Sequence, residues 1–323
     1  MAKNPSLPSP AKKVMSKTEI LQDLQIIDQQ PGARDRILSI ESQFRNRINT
    51  HVASLPIGSS RFSKFNTSPF VLMLYTKQKG YHFVSEIEHD ILPAKLFSSM
   101  ETSAGRMVQD VVLPVFGWES VLSSMHSATS VIDARRKDKE FLELATLKSG
   151  PRCLNDEMSK DIADDIVSHA EEWAAAAGVD HIEFTYAALY GTPKQSNKKD
   201  WHILRNIVAT VGNRFVLEYP WNTWKCVFRI RSIKVGVTVR IGADWWSHLG
   251  SEMALLEFLV ALIRACVIPT VAQSSSVRYQ ISDLADIVST RVVPAGYNVS
   301  LLQQSQFEWL FFLVRHFCDD LTD

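Results

Sequence analysis

The stretch that most constrains the fold runs from residue 130 to residue 170 and reads SVIDARRKDKEFLELATLKSGPRCLNDEMSKDIADDIVSHA. Two short apolar runs, VID and FLELATL, are separated by the charged turn RRKDKE, the pattern of a β-hairpin. Ser149-Gly150-Pro151 then breaks the second strand, and Asn155 stands where a helix N-cap belongs. Asp133 ends the first run and Lys148 ends the second. At the ends of adjacent strands a carboxylate can ligate a hard cation through oxygen. An ammonium beside it can hold or activate the water that attacks a phosphate. Such a pair suits metal-dependent phosphodiester hydrolysis, and equally an ordinary solvated hairpin.

Around this hairpin the chain has the length for one large domain or two modest ones. Its 35 basic and 35 acidic residues cancel, which argues against a protein that coats nucleic acid without regard to sequence, though not against a local basic cleft. Cys153, Cys226, Cys266 and Cys318 form no CxxC pair and read as free thiols of a reducing cytosol. The start, MAKNPSLPSPAKK, lacks the apolar run of a signal peptide. The most apolar segment, MALLEFLVALIRACVIP, carries Glu257 and Arg264 and reads as a buried helix rather than a membrane span.

Residues 1–16 are rich in Pro, Ser and Lys and read as a disordered arm. From Lys17 to about Val52, Ile20, Leu21, Leu24 and Ile27, then Ile37, Leu38, Ile40, Phe44 and Ile48, recur at helical spacing around a Pro31-Gly32 break. SPFVLMLYTKQKGYHFVSEIEHDILPAKLFSS mixes a strand-like run with a helix; GRMVQDVVLP reads as a helix halted near Pro114. The Asn155 helix is predicted to end at Gly178, and HIEFTYAALYG to form a central strand. KCVFRIR and KVGVTVRIG are two further strands. Their Lys225, Arg229, Arg231, Lys234 and Arg240 form either a positive stripe or a plain amphipathic edge. A long apolar helix follows ADWWSHLG, and LLQQSQFEWLFFLVRHF is a last amphipathic helix. No GxxxxGK[ST], GxGxxG, GxSxG or HExxH motif occurs, and His126, His169, His181 and His202 stand alone.

The order helix, Asp-strand, Lys-strand, helix, strand resembles the core of the PD-(D/E)XK nucleases. Within them it is similar to type II restriction endonucleases that cut interrupted palindromes containing GG and CC. The matching residues are SPF at 68–70, GRMVQDVVLPVFG at 105–117, VID at 131–133, ELATLKSG at 143–150, YG at 190–191, HILRNI at 202–207 and GADWWSHL at 242–249. They lie in roughly residues 66–270. The resemblance implies an α/β, restriction-endonuclease-like core with a central mixed sheet flanked by helices. It divides the chain into an arm (1–16), an N-terminal helical region (17–100), a catalytic core (101–272) and a C-terminal helical extension (273–323). It further implies a bacterial cytosolic enzyme, dependent on Mg²⁺, that leaves 5′-phosphate and 3′-hydroxyl ends on double-stranded DNA. Two departures stand out: Ile132 replaces the usual Pro before Asp133, and Thr146 replaces the acid expected two residues before Lys148.

Asp133 and Lys148 are accordingly the expected catalytic pair, with one metal-ligand carboxylate to be found elsewhere. Nucleases of this kind with Ser or Thr at that position recruit an acid from the following helix, which here carries Asp161, Asp164 and Asp165. Asp161, nearest the helix start, ranks first. Glu143 ranks second because a regular strand points it away from the metal and only a β-bulge would return it. Asp110 ranks third, as a supporting acid. Arg152, Asn155, Asp156 and Glu157 cluster at a helix N-terminus as candidate base readers, although Asn155 and Asp156 also suit simple capping. Lys194, Lys198, Lys199 and Arg205 are candidate phosphate contacts. A palindromic site calls for a homodimer, with residues 17–52 and 306–318 as candidate interfaces. Two rival readings remain: a nuclease-fold DNA-binding protein inactivated by Thr146, and an enzyme acting on small phosphate esters.

Overall fold

The computed structural model describes residues 15–54, 68–121, 131–212, 215–218, 224–267, 293, 296–318 and 321–322. Most of the expected arm at 1–16 therefore lies outside the described residues, as do Ser130 and His126. In chain order the elements are β1 (Met15–Ser16), α1 (Lys17–Gln29), α2 (Pro31–Ser54), α3 (Pro69–Lys79), a 3₁₀ turn (Val84–Ile87) and α4 (Glu88–Val115). β2 (Glu119–Ser120), β3 (Ala134–Lys137), β4 (Leu142–Lys148), α5 (Asp156–Ala177), β5 (His181–Ala188) and α6 (Lys199–Val211) follow. The chain goes on through β6 (Phe215–Glu218), β7 (Trp224–Ile230), β8 (Ile233–Ile241), α7 (Ala243–Leu249) and α8 (Ala254–Cys266). It closes with α9 (Gln304–Leu313), a π turn (Val314–Cys318) and β9 (Leu321–Thr322).

Seven strands form one mixed sheet in the order β2-β3-β4-β5-β8-β7-β6. β4, β5 and β8 run parallel at its centre, and antiparallel neighbours complete both sides. β5 is central, as its unbroken apolar run predicts. Alternation along the strands divides the interior into two layers. Leu142, Leu144, Ile182, Phe184, Tyr186, Val235 and Val237 face α5 and α6 and pack with Ile162, Ala163, Ile166, Trp173, Ile203 and Leu204. Ala134, Ala145, Leu147 and Ala187 face the other way, onto α1, α2, α4, α7, α8 and α9. The protein is an α/β fold with a mixed sheet flanked by helices.

The N-terminal and C-terminal helices share this second layer with the sheet. The stripe of Ile20, Leu21, Leu24 and Ile27 on α1 is fully buried, as are Ile37 and Ile40 on α2 and Leu310 and Phe311 on α9. Each such side chain stabilises the fold by about 1.5–3 kcal/mol. These are the faces proposed from sequence as dimer contacts, and they are used inside the chain. Arg36 of α2 donates Nε and Nη2 to the buried Glu257 of α8 at 2.6 and 2.7 Å, which ties together these two helices of the second layer. No described helix is long and apolar enough to cross a membrane.

Two elements differ from their sequence reading. SPFVLMLY is not a strand but lies in α3, started by Pro69 at the first helical position and stopped at Gly80 in the left-handed region. The first hairpin strand lies one step later than VID, over ARRK, with residues 138–141 as the turn. As the penultimate strand of the sheet it tolerates alternating charges, and Arg135 and Arg136 pair with Glu119 and Glu143 on its neighbours. The helix containing GRMVQDVVLP ends at Val115, beside Pro114, as expected, and starts as far back as Glu88.

Candidate active site

Asp133 and Lys148 come together at the end of the β3–β4 pair. Ala134 pairs with Ala145, which sets Asp133 opposite Thr146, just beyond the ladder. The Asp133 N–H donates to the Ala145 carbonyl at 2.8 Å, and its carboxylate Oδ2 accepts the Leu147 N–H at 2.7 Å. Lys148 is the last residue of β4 and its carbonyl accepts the Leu189 N–H at 2.9 Å. Burial pushes the Asp133 carboxyl above its ordinary range, against the opposing pull of the Leu147 N–H and of the Lys148 ammonium. The ammonium is thus close enough to bear on the carboxylate.

Thr146 shares a face of β4 with Lys148. Its buried hydroxyl donates to the Val131 carbonyl. The side chain at the position of the missing acid therefore ties down the residue two before Asp133, which fixes where the carboxylate points.

The other expected ligands are placed elsewhere. All seven residues of β4 pair in step with β5, so no bulge rotates Glu143 toward Lys148. Glu143 lies on the opposite face, 7% exposed, with Arg136 Nε on its Oε2 at 2.5 Å and His248 Nε2 3.4 Å from its Oε1. Arg136 in turn stacks on Trp118, 4.5 Å from the ring centre. Burial, with Arg240, Arg136 and Lys225 nearby, pushes His248 down to about 3, so it meets Glu143 as a neutral ring. Asp161 is exposed, because Ile162, Ala163 and Ile166 form the packed face of α5. Its charge acts with that of Asp164 on Asp165, whose carboxyl is raised chiefly by burial. Asp110 pairs with Arg47 at 3.2 Å. Among the described residues no three His, Cys, Asp or Glu side chains converge as a metal-binding group.

The residues proposed to touch DNA gather better. Gly191, at φ +94°, brings the loop after β5 against the turn after β4; a Cβ there would stand 2.6 Å from Pro151 Cγ. Arg152 Nε donates to the Gln195 carbonyl at 2.9 Å, and Asn197 Nδ2 to the Leu154 carbonyl at 2.8 Å. Asn155 caps α5 by accepting the Met158 N–H at 2.8 Å. Asp156 holds Lys199 Nζ at 2.7 Å and His202 Nδ1 at 2.9 Å, and these two bonds, Lys199's first, keep its carboxyl below the usual range. Arg152, Asn155, Asp156, Glu157, Lys194, Lys198 and Arg205 are exposed. The starts of α5 and α6 thus form one polar platform beyond the carboxyl ends of β4 and β5, the edge where α/β sheets present ligand sites.

The positive stripe does not form. Lys225 pairs with Glu183 at 2.8 Å, Arg240 with Asp244 at 2.8 Å and Arg231 with Glu171 at 3.0 Å. Lys225 and Arg240 lie on the face partly roofed by α7, where free charges would be left poorly solvated, whereas Arg231 stands in the turn between β7 and β8, 83% exposed. Sequence reasoning missed the buried polar row behind this pairing. Arg136, Glu143, Glu183 and Gly236 are successive cross-strand neighbours, and a Cβ at Gly236 would lie 2.7 Å from Glu183 Cδ. The signal was the alternating His181 and Glu183 inside an otherwise apolar strand. Asp200 was missed too. It is buried beneath the Lys194–Lys198 loop, accepts the Ser196 hydroxyl at 2.8 Å, and burial raises its carboxyl. Neither the protein-family models nor the curated proteins contain a match to this chain.

Proposed function

We propose that the chain is a Mg²⁺-dependent, sequence-specific endonuclease acting on double-stranded DNA. The observation that carries this reading is the Asp133–Lys148 pair at the ends of adjacent strands, flanked by the Arg152–Lys199 platform. Asp133 Oδ1 has no partner among the described residues, and burial disfavours a bare charge on this carboxyl. A Mg²⁺ ion takes one or two protein carboxylates and completes its octahedron with water and substrate phosphate, which suits this donor set. When bound, the ion polarises the phosphate and acidifies a water. Lys148 positions the attacking water and offsets the charge gathering on phosphorus. The Leu147 N–H and the Thr146–Val131 bond hold Asp133 in place. Water adds to phosphorus, the bond to the 3′ oxygen breaks, and that oxygen takes a proton, leaving 5′-phosphate and 3′-hydroxyl ends. Two copies meeting a palindromic site place one such centre on each strand.

One observation favours a second reading, a DNA-binding protein with this fold and no cutting activity: the Thr146 hydroxyl bonds to Val131, and among the described residues no second carboxylate joins Asp133 in a metal-binding group. Incubation of plasmid with Mg²⁺ separates the two. Discrete fragments, lost with a chelator and reduced at least about 1,000-fold in rate by Asp133→Ala or Lys148→Ala, support the enzyme. Tight, sequence-dependent duplex binding with no cutting in any divalent metal supports the rival.

A further inference from the structure

The helix α3 is inverted relative to an ordinary surface helix. At 100° per residue, Met73, Phe70, Leu74 and Val71 fall within an arc of roughly 160°. That arc points to solvent: these four residues are 64, 80, 73 and 60% exposed. The half-buried side is Leu72, Tyr75 and Thr76. α3 has no fully buried residue at all. Beyond Gly80 the patch continues through Phe83 and Val84, 72 and 85% exposed. Among the described residues, six of the thirteen exposed large apolar ones lie in this short segment, so they form a patch and not a scatter.

An isolated helix of eleven residues is marginal in water, and its stability in proteins comes from burying an apolar face. Among the described residues, α3 finds no such burial. We infer that this face is covered by the same face of a second copy of the chain, packed about a two-fold axis. Taking about 150–200 Å² for each large apolar side chain, the exposed fractions leave on the order of 750 Å² of apolar surface. That is close to the roughly 800 Å² each partner contributes to an interface of standard size. An isologous contact needs one self-complementary patch, which is what a continuous apolar face offers. The alternative helical faces of α1, α2 and α9 are used within the chain. The inference rests on the nuclease reading only for its expectation of two-fold symmetry.

The test is sedimentation velocity of the full chain, without DNA, from about 0.5 to 50 µM. The wild type should move from monomer to dimer over this range. Phe70→Asp with Leu74→Asp should weaken the dimer at least about 100-fold, charges at an interface core being among the costliest changes. Neither residue is buried in the chain, so the circular-dichroism melt of a monomer should be unchanged. As a second measure, Leu74→Cys in a Cys153→Ser, Cys266→Ser background should give a disulfide-linked dimer under mild oxidation. A wild type that stays monomeric throughout, a double variant that dimerises as tightly as wild type, or attachment to anionic vesicles without self-association each overturns the inference. A dimer that does not cut DNA leaves it standing and counts against the nuclease; a monomer that cuts does the reverse.

Discussion

Replacing Glu143 by Gln separates a metal ligand from a structural ion pair. In the structure Glu143 is 9% exposed at its side chain and bonded to an Arg136 that is 34% exposed. Breaking a fully buried pair from one side costs about 3–5 kcal/mol, because the partner charge is left without compensation. Arg136 reaches solvent with a third of its side chain and keeps its contact with Trp118, which lowers that figure to about 2–3 kcal/mol. At about 2 °C per kcal/mol for a chain of this size, the thermal midpoint should fall by roughly 4–6 °C. Cleavage measured well below that midpoint, across a Mg²⁺ titration, should keep the wild-type metal dependence. The decisive outcome is a Glu143→Gln protein that melts like wild type and no longer cuts at any Mg²⁺ concentration. It would place Glu143 in the chemistry and make the regular β4 register wrong in solution.

Three further outcomes follow from the same geometry. Arg36→Met leaves Glu257 buried without its two hydrogen bonds and should cost about 2–4 kcal/mol in urea unfolding; an unchanged midpoint refutes the locking role of this pair. Asp133 has a folded-state pKa raised by burial, so the native protein binds its proton more tightly than the unfolded chain. Its charged form therefore weakens the fold above the folded pKa, and the penalty disappears as pH falls through the carboxylate range. Asp133→Asn should then be more stable than wild type at pH 7 and indistinguishable near pH 3, and a less stable variant at pH 7 would contradict this. Arg152→Ala should relax cutting at one base position, with a loss of about 1–3 kcal/mol of discrimination seen as new fragment ends; uniform weakening with salt dependence alone makes Arg152 a phosphate contact.

What sequence made legible was whatever depends on short range. The Ser149-Gly150-Pro151 break, the Asn155 cap, the Gly178 stop and the central β5 all follow from local chemistry, and the structure has each of them. Asp133 and Lys148 were recoverable because a hairpin brings together residues that flank one turn. That a regular strand turns Glu143 away from Lys148 followed from alternation alone, and the β4 register has it so, yet its partners Arg136 and His248 come from other elements that no local pattern links. Asp161 was ranked by its distance from the helix start, whereas its exposure is decided by which side of α5 packs on the sheet. The α3 segment misled for a different reason: VLML is as apolar as a buried strand, and only Pro69 and Gly80 betray a helix. The positive stripe failed because charges alternating on a strand say nothing about what the fold lays over them.

The bond between Arg36 and Glu257 spans 221 positions of the chain, and the one between Arg264 and Glu41 spans 223. A ribosome working at roughly 5–20 residues per second releases α8 on the order of 10–40 seconds after α2. Through that interval the apolar sides of α1 and α2 have no α8 to close on, whereas the β3–β4 hairpin and α5 can fold among themselves as they emerge. Synthesis of this protein is thus a long wait for its first helices, whose exposed Ile and Leu side chains are natural clients for a holding chaperone. Slowing translation between residues 60 and 250 should raise aggregation of nascent chains, and the same delay imposed after residue 267 should leave it unchanged.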